Sequence, residues 1–276
     1  MKALTSQEIL EKVTDSSVVK ARGKFWKLLI LAVMAGAYIA FGAEASTMAS
    51  FNLTSDPDTF GIGKLAAACV FPVGLMMVIL CGAELFTGNN LMITGVLDRK
   101  IKISEMLRNW VIVYIGNFIG AMIIVLFINY SGLLESGGGL LGAVTVKTAV
   151  AKVSMPFGRA FVMGIMCNWL VCLAVWMATG AQSAVSKIFA IFFCIGLFVL
   201  SGFEHSVANM YFIPAGIFAK SNQMFTALSE MGFDALANLN WSGMFELNLL
   251  PVTLGNIVGG AVCVAIGYYT ALADNK

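Results

Sequence analysis

One short stretch of the chain places ionisable side chains in an apolar setting. The segment SGFEHSVANM (201–210) lies inside an apolar run from about residue 188 to 217 and holds Glu204 and the only histidine, His205. A charged side chain at the centre of a bilayer costs roughly 3 kcal/mol or more, so such a pair indicates a functional site. Because histidine titrates nearest neutral pH, His205 is a candidate proton donor or sensor. The alternative is a neutral, hydrogen-bonded core imidazole.

The same spacing of residues occurs a second time, earlier in the chain. The pattern G-x-E-x4-N is found at residues 82–89 and again at 202–209. Each copy lies in a hydrophobic run of more than 30 residues, about 62–97 and 186–219, whereas one crossing needs about 20. Two polar motifs inside such long runs predict two broken membrane helices, the second and the fifth, that face each other.

A broken membrane helix leaves backbone N–H and C=O groups without partners. These groups are tolerated only where protein or a watery cavity satisfies them. We therefore expect Glu84 and Glu204 to bind the freed N–H groups, rather than a solute. Asn89 and Asn209 are expected to stabilise the two loops.

The composition of the chain excludes several classes of protein. With 59% hydrophobic and 12% charged residues among 276, it is typical of an integral membrane protein. A net charge of +2 gives no reason to expect binding to nucleic acid. The six cysteines lie in apolar runs without a CxxC pair, and a single histidine gives little reason to expect a zinc or haem site. No metal or cofactor is expected.

Hydrophobic runs divide the chain into six predicted spans. We predict a cytoplasmic amphipathic segment at 1–24, opened by a capping box at Thr5–Glu8, one transmembrane domain at 25–272, and a cytoplasmic tail at 273–276. A glycine-rich linker separates two halves, at about 25–131 and 143–272. The predicted fold class is an all-α integral membrane bundle of six helices.

The third and sixth spans also carry matching motifs. The pattern GN-x-x-G occurs at 116–120 and at 255–259, where small residues allow close helix packing and asparagine can bond across helices. Two matches in the same order predict a three-plus-three repeat. The distribution of lysine and arginine places both termini in the cytoplasm. The odd number of spans per half then makes the repeat inverted.

Four long motifs resemble one known family. The segments CGAELFTGNNLM (81–92), CNWLVCLAVWMA (167–178), SGFEHSVANMY (201–211) and GNIVGGAV (255–262) strongly resemble the formate/nitrite transporter family. The resemblance extends from about residue 24 to 269, with no evident departure in these motifs. Family members include formate channels, nitrite channels and a hydrosulfide channel.

The resemblance implies a fold, an assembly and a location. It implies an aquaporin-like protomer of six spans with the second and fifth broken. It also implies a homopentamer with one pore per protomer, surrounded by lipid in a bacterial cytoplasmic membrane. The loop around Thr87–Asn90 would match the family's mobile loop.

Individual site residues follow from the same resemblance. Thr87 and His205 match the family's central threonine and histidine. Lys152, which by spacing alone is an ordinary loop lysine, matches the lysine below the outer vestibule, and Asn168 matches the asparagine near it. The resemblance implies that these four residues belong to the pore and contact the substrate. The residues that match hydrophobic constrictions are Phe71, Leu75, Leu85 and Phe198.

The function implied is passage of small monovalent weak-acid anions, with formate first and nitrite or hydrosulfide as alternatives. A bare anion crosses an apolar constriction at great cost, whereas the neutral acid crosses cheaply. Lys152 would attract the anion, and either His205 or water linked to it would supply the proton. The substrate anion, the lipid and further copies of the chain are the expected partners.

Two other classes of function remain as alternatives. A neutral-solute channel of the aquaporin type is disfavoured because the chain has no Asn-Pro-Ala box. An intramembrane enzyme would need a catalytic base with a nucleophile or metal. The chain has no HExxH motif, no pair of intramembrane aspartates and no GxSxG motif, so no enzyme activity is expected.

Overall fold

The structure, a computed structural model, describes residues 3–273, and these residues form helices without a β-strand. All of the predicted tail at 273–276 except Ala273 therefore lies outside the described residues. The main helices, in chain order, are α1 (Ser6–Ala21), α2 (Phe25–Ser50), α3 (Phe60–Cys81), α4 (Ile103–Tyr130), α5 (Leu140–Val153), α6 (Phe157–Gly180), α7 (Ala184–Ser201), α8 (Ser206–Ala219) and α9 (Trp241–Leu272). Short helical segments, which include Phe86–Asn89 and Ile93–Leu97, join some of them.

Six of these helices are long and apolar enough to cross a membrane: α2, α3, α4, α6, α7 and α9. The prediction of an all-helical protein with six spans is confirmed. Helix α8 is apolar but shorter. Helix α9 includes two π-helical stretches, Met244–Leu249 and Val258–Ile266, a geometry that often occurs near functional sites.

Helices α3 and α7 both end at a glycine in the left-handed region. Gly82 has φ +80° and Gly202 has φ +74°, a backbone conformation that glycine adopts without steric cost. After each glycine the chain runs through three non-helical residues. It becomes helical again at Phe86 in the first half and at Ser206 in the second.

Glycines let the spans of each half approach closely. A Cβ atom on Gly120 of α4 would overlap the carbonyl oxygen of Val33 on α2. A Cβ atom on Gly259 of α9 would likewise overlap the carbonyl oxygen of Ile165 on α6. Helix α2 therefore packs on α4, and α6 packs on α9, with backbone against backbone.

Two buried asparagines fix the non-helical residues to these helix pairs. Asn117 donates to the carbonyl oxygens of Ala32 and Glu84, at 2.8 and 2.9 Å, and accepts from the Phe86 N–H at 2.9 Å. Asn256 makes the same three contacts in the second half, to Gly164, Glu204 and Ser206, each at 2.9 Å. The predicted cross-helix bonds of both asparagines are confirmed.

Helix α1 begins with the predicted capping box, since Thr5 and Glu8 bond each other's backbone N–H. Its buried face, with Leu10 and Val13, packs against the protein core rather than facing away from it. Lys100 in the turn before α4 holds α1 through Asp15 at 3.0 Å. The hydrogen bonds that the Lys100 ammonium donates to Asp15, the larger contribution, and to Asp98 raise its pKa.

The C-terminal end of α9 lies at the same end of the bundle as α1. The Tyr269 hydroxyl donates to Asp98 at 3.3 Å, and Asp98 also contacts Lys100, the residue that holds α1. An even number of spans agrees with this arrangement. Helix α1 and the C-terminal end of α9 are therefore on one side of the bundle.

Candidate functional site

The two non-helical stretches meet at a single buried hydrogen bond. Thr87, in the short helix Phe86–Asn89, and His205, which precedes α8, bring Oγ1 and Nε2 to 2.9 Å. Thr87 is fully buried and His205 is 3% exposed. The Phe198 ring stacks on the imidazole with 6.0 Å between ring centroids. The predicted central threonine and histidine therefore lie in direct contact.

The backbone around His205 fixes which imidazole nitrogen carries the proton. His205 is the N-cap of α8, and its Nδ1 accepts a hydrogen bond from the Ala208 N–H at 3.0 Å. A neutral imidazole with an accepting Nδ1 carries its proton on Nε2. Nε2 therefore donates to Thr87. Adding a second proton to His205 would break the Ala208 bond and place a cation at a helix N-terminus, where the helix dipole disfavours it.

A group of four side chains, the Lys152 cluster, surrounds the second non-helical stretch. Lys152 at the end of α5 donates to Glu204 at 2.9 Å. Asn209 donates to Glu204 at 2.6 Å and to Asn248 of α9 at 2.7 Å. The Asn248 amide nitrogen donates to the Lys152 backbone carbonyl oxygen at 3.0 Å. The cluster joins α5, α8 and α9 to the residues between α7 and α8.

The first half contains a matching group, the Lys20 cluster. Lys20 at the end of α1 donates to Glu84 at 2.9 Å. Asn89 donates to Glu84 at 2.7 Å and to Asn109 of α4 at 2.8 Å. The Asn109 amide nitrogen donates to the Lys20 backbone carbonyl oxygen at 3.2 Å. Each of these four contacts thus has a counterpart in the Lys152 cluster.

The two clusters differ in burial and in three contacts, one of which is a bond from Asn248 to Glu204 at 3.4 Å. The side chains of Lys152 and Glu204 are 14% and 5% exposed, whereas those of Lys20 and Glu84 are 25% and 13% exposed. Lys20 also donates to Asn89 at 2.8 Å. Lys152 instead lies over the Phe212 ring, 5.2 Å from its centroid. The ion pair of the Lys152 cluster is the more shielded from water.

Asn168 lies behind the Thr87 segment and is fully buried. Its amide nitrogen donates to the carbonyl oxygens of Thr87 at 3.2 Å and Asn256 at 2.7 Å, and to the Asn90 side chain at 2.8 Å. Cys172 on the same helix also donates to the Thr87 carbonyl. Asn168 therefore holds the backbone that positions Thr87.

Two cavities lie near the central pair, and apolar side chains form part of the wall of each. The α1 cavity, about 180 Å³, is lined by Leu75 and Leu85 together with residues of α1. The α5 cavity, about 390 Å³, is lined by Phe71, Phe198 and residues of α5, and reaches His205. The Phe71 and Phe198 rings meet edge to face at 5.5 Å. Each predicted constriction residue thus borders one of the two cavities and is buried.

Metal-binding chemistry has no visible basis in the described part of the chain. Residues 3–273 contain no group of three or more histidine, cysteine or acidic side chains that would hold an ion. The six cysteines are free, and Cys167 and Cys172 are fully buried.

Three residues of the clusters were not identified from sequence. Lys20 belongs to a run of basic residues before α2, which is typical of membrane-interface anchors, yet it binds Glu84. Asn109 and Asn248 lie in α4 and α9 without a local motif around them. Asn109 lies eight residues before Asn117, and Asn248 lies eight residues before Asn256. This equal spacing extends the repeat already noted and could have identified both residues.

Comparison with protein families identifies one match over nearly the whole chain. A family described as "Formate/nitrite transporter" matches residues 7–270. A probable formate transporter of Methanothermobacter thermautotrophicus is 41% identical over 271 residues, covering 93% of each chain. The formate channel FocA of Haemophilus influenzae is 36% identical over 266 residues, covering 96% of this chain and 93% of that one.

A solved structure is also similar. It is described as a pentameric formate channel with formate bound, and it matches with a TM-score of 0.79 and 35% identity. The match covers 90% of this chain and 98% of that chain.

Proposed function

The chain belongs to the formate/nitrite transporter family, and from that premise we propose that it passes small monovalent weak-acid anions, formate first, across a membrane. One observation carries the proposal: two cavities with apolar side chains in their walls approach the buried Thr87–His205 hydrogen bond, and the larger of the two reaches His205. The names of the relatives favour formate over nitrite and hydrosulfide.

We propose that the fold is an aquaporin-like inverted repeat in which α3 and α7 are the first parts of two broken helices. The matching contacts of the two clusters and of Asn117 and Asn256 support this. So does the hydrogen bond between Tyr114 and Thr253, at 2.8 Å. These two residues lie at the same distance ahead of Asn117 and Asn256, and a residue that touches its own counterpart is expected at a two-fold axis.

The proposed mechanism follows from the cost of desolvation. An isolated carboxylate in an apolar medium costs on the order of tens of kcal/mol, so formate would cross the constrictions as the neutral acid. His205 is held neutral by the Ala208 N–H. We therefore assign the proton to water in the cavity, and to Thr87 and His205 the hydrogen bonds that receive the acid between the constrictions.

Assembly and orientation are also proposals. The solved relative is pentameric, and the spans of this chain expose large apolar side chains, such as Phe193 and Phe127, to lipid or to neighbouring copies. We propose a homopentamer in a bacterial cytoplasmic membrane with both chain ends in the cytoplasm. Light scattering in detergent should give five copies, and reporters fused to either end should be active only in the cytoplasm.

A solid-supported-membrane assay tests the function. Reconstituted protein should give currents with formate that increase as the pH falls, and smaller currents with chloride, which forms no weak acid. Phe198→Trp should abolish the formate current by filling the α5-side constriction, whereas Phe127→Trp, on an exposed face of α4, should not. Nitrite and hydrosulfide are compared in the same assay. Vesicle swelling in glycerol without any anion current would favour the neutral-solute channel instead.

A further inference from the structure

The α5 cavity contains an ion pair whose charges compensate each other. Lys152 bonds Glu204 at 2.9 Å, and Glu204 accepts further hydrogen bonds from Asn209 and Asn248. The field of such a pair falls off more steeply with distance than that of a single charge. Lys152 still presents N–H donors to a solute at close range. It does not supply a net charge that acts across the cavity.

A second lysine lines the same cavity. Lys64, near the start of α3, is half-buried, and its ammonium lies over Gly202, 3.4 Å from the position of a Cβ on that glycine. Within residues 3–273, no carboxylate forms a salt bridge with Lys64. The groups around the cavity thus include two ammonium ions, Lys64 and Lys152, and one carboxylate, Glu204. The sum is one positive charge.

Lys64 is not part of the repeated framework. Lys64 lies 20 residues before Glu84, and the residue 20 positions before Glu204 is Ala184. The second half therefore has no cation at the equivalent position. Every contact of the Lys20 and Lys152 clusters forms without Lys64. A lysine that the architecture does not require, but that faces a cavity, is a candidate for acting on the solute.

A net positive charge in a partly enclosed cavity with apolar walls raises the local concentration of anions, because the walls focus the field towards the opening. We propose that Lys64 is the residue that concentrates monovalent anions in the α5 cavity, and that Lys152 acts only at hydrogen-bonding range. This inference rests on the proposed function. It divides between two lysines the attraction that the sequence interpretation gave to Lys152 alone.

One structural role competes with this proposal. Gly202 terminates α7, and a cation beside the C-terminal end of a helix is stabilised by the helix dipole. If Lys64 served only that purpose, its removal would lower stability and the amount of active protein. It would leave the concentration dependence of the remaining transport unchanged.

Formate currents at fixed pH, measured over a range of formate concentrations and of ionic strengths, distinguish the two roles. Lys64→Gln should raise the apparent KM for formate about tenfold at low salt and remove most of the salt dependence of this KM. The maximal current should stay the same. Lys64→Arg should behave as the wild type. Lys147→Gln, which removes an exposed lysine on α5, is the matched control and should change neither quantity.

The outcomes separate this inference from the proposed function. A Lys64→Gln protein with wild-type KM and salt dependence overturns the role of Lys64 and leaves the channel function standing. Loss of maximal current and of thermal stability with an unchanged KM assigns Lys64 to the helix end instead. A wild-type protein that passes no monovalent anion overturns both.

Discussion

The sharpest test of the site is the removal of one charge from each cluster. Glu204→Gln leaves the Lys152 ammonium without its counter-ion, and the Lys152 side chain is only 14% exposed. Breaking a buried pair in this way costs about 3–5 kcal/mol in free energy of unfolding. With about 2–4 °C per kcal/mol for a chain of this size, the melting temperature should fall by roughly 10 °C.

Glu84→Gln is the internal control, because Glu84 has the same partners in the first half. Its lysine is 25% exposed, so water screens the orphaned ammonium and the cost should be nearer about 1–2 kcal/mol. Thermal unfolding of both variants in one detergent, followed by tryptophan fluorescence, measures the difference. An equal or smaller loss for Glu204→Gln would contradict the burial argument.

A compensating substitution checks the cause. Lys152→Met in the Glu204→Gln background removes the unpaired ammonium and keeps an apolar side chain against Phe212. The double variant should recover part of the lost stability, as buried pairs replaced by apolar residues often do. If the double variant is less stable than Glu204→Gln alone, the loss comes from the hydrogen bonds of the carboxylate rather than from the unpaired charge.

Three further predictions concern the pore and the packing. His205→Asn should lower the formate current but keep its increase at low pH, because the proton comes from cavity water. A flat pH profile of formate uptake into proteoliposomes would instead identify His205 as the proton donor. Phe198→Ala removes the partner ring of Phe71 and should admit acetate, measured as acetate current relative to formate; unchanged selectivity would remove Phe198 from the constriction. Gly120→Ala should prevent the close approach of α2 and α4 and abolish the yield of folded protein in size-exclusion chromatography in detergent. Gly158→Ala, where a Cβ meets nothing within 4 Å, should leave the yield unchanged. Equal yields of the two variants would contradict the overlap between a Cβ at Gly120 and the Val33 carbonyl oxygen.

Much of the architecture follows from local properties of the sequence. An apolar run of about 20 residues has few alternatives to a membrane helix, and the six spans are confirmed on that basis. The G-x-E-x4-N motif marked the two places where α3 and α7 end, and its glycines, Gly82 and Gly202, adopt the left-handed region that favours glycine. Asn117 and Asn256 were identifiable because an amide inside a span needs a partner.

The contacts that complete the site depend on tertiary structure. Lys20 is more than 60 residues from Glu84, and nothing in its neighbours distinguishes a lysine that binds a carboxylate from one that anchors at the interface. Asn168 was associated with the solute through family resemblance, yet its amide nitrogen is occupied by the Thr87 and Asn256 carbonyls. Side-chain direction and hydrogen-bond saturation are not encoded in residue type or spacing.

The Lys20 cluster also changes where the proposed repeat begins. Helix α1 precedes α2 as α5 precedes α6, and each ends in a lysine that bonds the glutamate of its own half. The carbonyl oxygens of both lysines accept from an asparagine of the last span in their half, Asn109 or Asn248. We therefore propose that the repeat unit includes the segment before each first span, which would make α1 part of the transmembrane domain. Removing α1 would take away a wall of the α1 cavity and the counter-ion of Glu84 together, so we expect a truncation to lower the stability of the protein as well as to change the formate current.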